Sequence, residues 1–497
     1  MHQATAWPST RFLFPRLVFA WPVPSMQSGS VSTVVERALF VAMLALLVWV
    51  PIPFGSNRPW AMGLVAAVVS VLVMATWLHI TLSGANPWPR LGRARWPLLL
   101  LALFALLQVG QLWGGLNGGL LRTSDPFSTK YYLLCTMAFI GQFLLTLLLV
   151  TSQRRAKVLV FTLVAAGIAE ALVAVILLSV KAQYQLFYED IQHGSQATGT
   201  YINRNHLACY LYLTLSLGIG WLVGSLKGED TMSTRHVKRT VVAFLRFMLT
   251  PRMALRLLLV VMVIALVLTR SRMGNASFFA AVVLVGCLVW WRLPAMRRTA
   301  SVLIASLILV DVVVVGQWVG LEHVVQRFEA TAVVEQDKRG EETLEARLQP
   351  AMHTLPMIAQ RPWFGYGGGT FYMEFPRFKT EDMVLVSWFF DHAHNDYAEI
   401  AADTGLLGLG LLLVTGVITL KRAIAYTSSS FRSSTRGVAY GVFMALCCIA
   451  IHSWVDFNLH IPANAFTLST IMALMWAAPW RLGSRSPSTQ HLRKLAT

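Results

Sequence analysis

Apolar runs of about twenty residues recur along this chain, and that repetition limits what it can fold into more than any single motif does. A hydrocarbon core ~30 Å thick is crossed by about twenty residues of helix. Runs of this kind occupy residues 37–53, 60–82, 96–113, 131–151, 157–180, 205–226, 252–269, 275–292, 300–320, 403–420, 437–455 and 462–480. In lipid the backbone has no water to pair with, so a spanning segment is either a helix or a strand of a closed barrel. Barrel strands alternate apolar and polar residues, and these runs do not. Composition agrees, since 56% hydrophobic and 13% charged residues leave too little charge to cover a soluble surface. The expected fold is an all-α polytopic membrane protein with about 12 transmembrane helices.

Basic residues predict the orientation. One set of loops carries Arg90, Arg93 and Arg95; Arg154, Arg155 and Lys157; Lys227 to Arg256; Arg292, Arg297 and Arg298; and Lys421, Arg422, Arg432 and Arg436. This side, which includes both termini, is expected to be cytoplasmic, and the loop-by-loop alternation explains the net charge of +18 without nucleic acid. The resulting organisation is a cytoplasmic segment over 1–36, nine spans over 37–320, a long external loop over 321–402, three spans over 403–480 and a cytoplasmic tail over 481–497. The apolar stretch 12–21 is broken by Pro15 and Arg16 and reads as an interfacial lead-in rather than a cleavable signal. Within the long loop, Leu344, Leu348, Met352, Leu355 and Ile358 recur at helical spacing, predicting an amphipathic helix around 341–360 that Pro350 and Pro356 would kink or split. Cys135, Cys209, Cys287, Cys447 and Cys448 all fall in apolar runs and are expected to be free thiols.

Chemistry-bearing residues collect at the external ends of the predicted helices. They are Asn203-Arg204-Asn205-His206 before the sixth span, Arg270-Ser271-Arg272 between the seventh and eighth, and Arg347 with Gly365–Gly369 in the long loop. Asp391 to Tyr397, with His392, His394 and Asn395, follows, and then the stretch His452 to Asn464. Arginines here stand where the charge rule disfavours them. Their forks match phosphate oxygens bidentately and suit a diphosphate at the outer leaflet, although snorkelling or headgroup binding would also use them. The glycine run, with Gly367 at its centre, could let backbone N–H groups approach an anion or a sugar, or could simply be a turn. A histidine beside an asparagine at a helix edge is a candidate base. His392-x-His394 near Asp391 and Asp396 is also a weak metal pattern, and no metal or other cofactor is expected. Glu170 and Asp311 lie inside predicted spans, where a charge is costly, and are expected to be buried and paired or protonated.

In their order, these residues resemble the O-antigen ligase / O-antigen polymerase superfamily of bacterial envelope glycan enzymes. The resemblance covers about 195–465 and rests on Asn203-x-Asn205-His206, Ser271-Arg272-x-Gly274, an arginine-bearing external helix, Pro362-x-x-Gly365-x-Gly367, His394-Asn395 and Gly405-Leu-Leu-Gly408. Met273 departs from it, where the family more often has a small residue. The resemblance implies an inverting, metal-independent glycosyl transfer at the periplasmic face of the bacterial inner membrane, from a glycan on undecaprenyl diphosphate to an acceptor hydroxyl. It implies catalytic roles for His394, Arg272 and Arg347, with Arg270, Arg204, Asn203, Asn205, Ser271, Asn395 and Gly367 on the substrate side. Implied acceptors are lipid A-core, a growing O-antigen or exopolysaccharide, or a protein hydroxyl. A transporter or flippase of lipid-linked sugars is the alternative from another class; it would place charges and broken helices at mid-membrane. A purely structural scaffold would leave the external arginines unexplained.

Overall fold

The computed structural model describes residues 31–117, 121–180, 196–225, 251–294, 344–380 and 390–477, with single positions at 297, 301 and 305. Among these residues there is no strand. The longer helices are α1 (Val31–Trp49), α2 (Pro59–Leu82), α3 (Arg95–Asn117), α4 (Pro126–Leu149), α5 (Gln153–Ser179), α6 (Arg204–Gly224), α7 (Pro251–Leu268), α8 (Arg272–Arg292), α9 (Leu344–Gln360), α10 (Asp396–Ala425), α11 (Ser433–His452) and α12 (Pro462–Trp476). Eight of the described helices, α2 to α6, α8, α10 and α11, are long and apolar enough to cross a bilayer. The chain is therefore a polytopic α-helical membrane protein. Of the remaining expected spans, three fall on α1, α7 and α12, and 300–320, apart from 301 and 305, falls outside the described residues, as do Asp311, the N-terminal lead-in and the C-terminal tail. All five cysteines are free thiols.

Helix α6 is the axis of the bundle, with almost all of its length buried. It lies against α11 backbone to backbone. A Cβ on Gly220 would stand 2.2 Å from the Gly441 nitrogen, and one on Gly224 would stand 2.3 Å from the Gly437 nitrogen. Each helix thus presents a pair of glycines four residues apart to the other, the small-xxx-small device that lets membrane helices approach closely and gain dispersion contacts. On its other sides α6 packs against α5 and α7.

The two ends of the bundle differ in chemistry. At one end arginines donate to the orphan carbonyls that close helices. Arg90 reaches Leu148 O at 2.8 Å and Arg155 reaches Leu149 O at 2.8 Å, both at the end of α4. Arg436 reaches Gly224 O of α6 at 3.2 Å, and Arg422 reaches Met475 O of α12 at 3.0 Å. Arg155 also pairs with Glu36 at 2.6 Å, tying α5 to α1. Exposed Trp88, Trp96, Trp290 and Trp291 surround this basic end, and exposed Trp60, Trp113, Trp363 and Trp454 surround the other, as interfacial aromatic belts do.

Two expectations are corrected. The tenth helix starts at Asp396, seven residues inside the segment read as loop, because the acids that made it look like loop are buried and satisfied there. It is also broken at Gly405, whose φ is +70°. The helix in the long loop runs unbroken through Pro350 and Pro356. It packs on α10 and on a small aromatic core with Thr354 and Met357, while Met352 and Leu355 of the expected face point outward.

The glycine seam is testable. Gly220→Ala should lower stability by at least the ~1–3 kcal/mol typical of overpacking, because backbone and not a side chain stands in the way. Gly416→Ala on α10, which meets nothing within 4 Å, should be neutral or slightly stabilising. Thermal melting in detergent compares the two; equal midpoints would remove the seam as a stabilising contact.

Candidate active site

At the end opposite the arginine caps, three helices begin, two in direct contact and the third joined to them through Phe457. Asn203 caps α6, its Oδ1 accepting the Asn205 N–H at 2.8 Å. Ser271 caps α8, its Oγ accepting the Gly274 N–H at 3.2 Å. Asn395 caps α10, its Oδ1 accepting the Ala398 N–H at 3.0 Å, while its Nδ2 donates to Trp454 O at 2.9 Å. Ser and Asn stand at these places because a short polar side chain satisfies an otherwise orphan N–H. The caps account for Asn203, Ser271 and Asn395 locally, and Asn205 is buried in the first turn of α6.

Cations follow the same pattern. Arg204 and Arg272 are the first residues of α6 and α8, and Arg270 and His394 each immediately precede a cap. Both of the latter sit in left-handed backbone, with φ of +53° and +50°. Such conformations in non-glycine residues cost of order 1–3 kcal/mol and persist where the surroundings over-determine them. Arg270 and Arg272 are exposed, and Arg204 is partly buried. Arg347 lies on the first turn of α9, and its side chain is outside the described residues.

The helix starts are brought together by contact. A Cβ on Gly274 would stand 2.8 Å from that of Ala208, so the first turn of α8 rests on α6. Phe457, in the loop between α11 and α12, joins α6 to α10. His392 stacks on its ring at 4.0 Å, His394 meets it at 5.1 Å and 73°, and His206 meets it at 4.7 Å and 75°. Helix N-termini carry partial positive charge and unpaired N–H groups. Three of them, flanked by arginine and histidine, make this end suited to an anion.

Beneath the histidines lies a buried ionic network. Asp396, Glu399 and Asp403 stand on successive turns of α10 and are all almost completely buried. Asp396 accepts from the Leu459 N–H at 3.0 Å and the Ser453 hydroxyl at 2.7 Å. Glu399 accepts from the Ala393 N–H at 2.8 Å and meets His392 Nδ1 at 2.7 Å. His460 bridges the pair, with Nδ1 3.1 Å from Asp396 and Nε2 3.3 Å from Glu399. Burial alone would push the His460 pKa down, but the Glu399 charge, the hydrogen bond to Asp396 and the charges of Asp396 and Asp403 outweigh it and hold it up at about 9. Ligand atoms of His392, Glu399 and His460 lie within 4.8 Å of one another, so a metal ion could be held there, a grouping different from the weak His392-x-His394 pattern in the sequence. Deeper still, Asp456 lies 3.8 Å from both His206 and His452.

The glycine loop is spoken for. Gly367 N–H donates to Asp403 O at 2.8 Å, Gly368 N–H to Gln111 Oε1 at 3.2 Å, and Gly369 and Thr370 N–H to the Asp403 carboxylate at 2.7 and 3.2 Å. The acceptor in this backbone cradle is the chain's own Asp403, whose carbonyl takes the Gly367 N–H, which corrects the expectation that Gly367 approaches a ligand. The break at Gly405 is what exposes the partners. The Leu406 N–H donates to Pro362 O at 2.7 Å, and the Tyr366 N–H donates to Ala402 O at 2.9 Å. A Cβ on Gly405 would stand 2.1 Å from Trp363 O, and one on Gly365 2.4 Å from Asp403 O, so the two glycine motifs require each other. Glu170, inside α5, accepts from the Thr200 N–H at 3.3 Å and hydroxyl at 3.0 Å, holding the loop that leads into Asn203.

Sequence reasoning grouped His206 and His460 with polar clusters without assigning them, and overlooked Phe457, Asp403 and Gln111. A glutamine in the apolar run 96–113 was the available signal for Gln111. Residues 257–413 match the protein-family model described as O-antigen ligase. The matched stretch runs from α7 to the helix after the Gly405 break, so it includes Arg270, Arg272, Arg347, the glycine loop and His394. No curated protein matches the chain.

The network has a pH signature. The native pKa of His460 lies above its ordinary 6.5, so the protonated ring contributes stability fully below that value and loses it as pH rises through about 9. Thermal unfolding followed from roughly pH 6 to 10 should show a midpoint that falls on the alkaline side, and His460→Gln should lack that limb. A wild-type midpoint that does not change over the range would rule out a charged His460.

Proposed function

We propose that this chain, whose residues 257–413 match the O-antigen ligase family model, is a membrane glycosyltransferase moving a glycan from undecaprenyl diphosphate to an acceptor hydroxyl. The observation that carries the reading is the meeting of three capped helix starts, each flanked by arginine or histidine, at one end of the bundle. The acceptor oxygen attacks the anomeric carbon while the bond to the diphosphate breaks, its electron pair staying on the phosphate oxygen. Arg272 and Arg270, with Arg204 and Arg347, stabilise the charge that grows there, and the helix N-termini add fixed dipoles. His394 takes the proton of the attacking hydroxyl. The donor's energy resides in its diphosphate bond, so the reaction needs no nucleotide. Acceptors of the class are lipid A-core, a growing glycan or a protein hydroxyl.

The distribution of basic loops supports a cytoplasmic arginine-capped end, and with it helix starts on the periplasmic face of the inner membrane. Cysteine introduced at Thr380 should react with an impermeant thiol reagent in intact spheroplasts and cysteine at Ser233 should not. The reverse pattern would put the site in the cytoplasm.

Transfer from purified lipid-linked glycan tests the chemistry. Arg272→Lys keeps the charge and loses the fork, so the rate should fall on the order of a hundred- to a thousandfold, matching the ~2.7–4 kcal/mol of one lost transition-state contact. His394→Ala should abolish transfer, while His392→Ala leaves partial activity. Exposed Arg95, at the basic end, is the control, and Arg95→Lys should be silent. Near-wild-type turnover by Arg272→Lys would take that residue out of the catalytic set.

A further inference from the structure

We propose that His460 is a positioning residue, which through Glu399 and Asp396 fixes the His394 side chain in place without meeting the substrate itself. The proposal rests on the reading of His394 as the base. Two of the contacts that hold His394 lead to the same pair of carboxylates. The backbone just before it is tied to Glu399, which takes the Ala393 N–H at 2.8 Å and faces His392 Nδ1 at 2.7 Å. Its ring rests at 5.1 Å on Phe457, whose loop is tied to Asp396 by the Leu459 N–H at 3.0 Å and the Ser453 hydroxyl at 2.7 Å.

Asp396 and Glu399 are 0% and 2% exposed, and like charges so close and so dry repel unless a cation stands between them. His460 supplies that cation, one ring nitrogen facing each carboxylate at 3.1 and 3.3 Å. Its side chain is 10% exposed, Nδ1 is hydrogen-bonded to Asp396, and Nε2 is buried beside Glu399 with no hydrogen bond of its own, so the ring is closed to a sugar hydroxyl by burial. The groups around it are Asp396, Glu399 and Asp403 on α10, His392 with its ring 5.4 Å away, and Tyr132 of α4 at 6.3 Å. Losing the bridge frees both the 392–393 turn and the Phe457 loop, and with them the left-handed conformation of His394.

The test uses the full chain in detergent and two readouts. Modification of His394 by diethyl pyrocarbonate, followed by mass spectrometry against pH, reports the exposure and titration of that ring. Transfer kinetics report kcat and KM. His460→Gln, and the isosteric Glu399→Gln should the first variant fold poorly, should both speed His394 modification and shift its pH profile. Both should lower kcat on the order of a hundredfold, the scale of a small misplacement, with KM for the donor unchanged. Glu374→Gln, which removes a buried acid paired with Arg377, should leave His394 modification as in wild type. Unchanged His394 reactivity in both bridge variants overturns the proposal, whatever happens to the rate. Activity lost on chelation and restored by zinc overturns it in favour of a metal held by the same residues. Absence of transfer by the wild type would refute the proposed function, while the modification profile still decides whether His460 positions His394.

Discussion

The backbone contact between α6 and α11 is the constraint from which the rest of the architecture follows. Two helices that touch through paired glycines leave no room for side chains between them, so their relative height is fixed within a fraction of a turn. That height sets where α6 begins and where the loop after α11 turns back. His206 and Phe457 meet because of it, and the other histidines gather on Phe457. Nearly complete burial of α6 means that a shift there would be felt by α5, α7 and α8 as well.

Burying three carboxylates on neighbouring turns of α10 is costly unless every oxygen is answered. Here each acid has a different answer. Asp396 holds a loop, Glu399 holds the turn before His394, and Asp403 fills the backbone cradle of the glycine loop. The helix start that looks least suited to a membrane protein is therefore the part that assembles the loops around it. The break at Gly405 serves the same end, because an unbroken helix would have no free N–H and C=O groups for residues 362–367 to pair with.

Much of this was legible in the sequence wherever the cause is local. Apolar runs marked the helices, whereas Asn203, Ser271 and Asn395, read on the substrate side, are seen as caps only in the structure. The start of α10 was hidden, since Asp396 and Glu399 read as loop acids to any scale that counts charge and Asp403 read as the first residue of the span. Their partners lie at Leu459, His460 and Gly369, too far along the chain for spacing to reveal. Gly365–Gly369 read either as a turn or as a backbone approach to an anion or a sugar, and what spacing does not contain is that its acceptor sits 34 residues on in the same chain. The face of α9 was misjudged for a related reason. Its apolar stripe was plain, but the neighbour that covers the other side is built from aromatic residues of a later loop.

The arginines at the basic end do two things at once. In the insertion of a nascent chain such residues are an address, read once and then finished with. Arg90, Arg155, Arg422 and Arg436 go on to close the ends of α4, α6 and α12. The residues that the positive-inside rule reads are thus built into the masonry of the bundle. Rewriting these loops to turn the protein over would also leave three helices with open ends, so orientation and fold cannot drift apart by small steps.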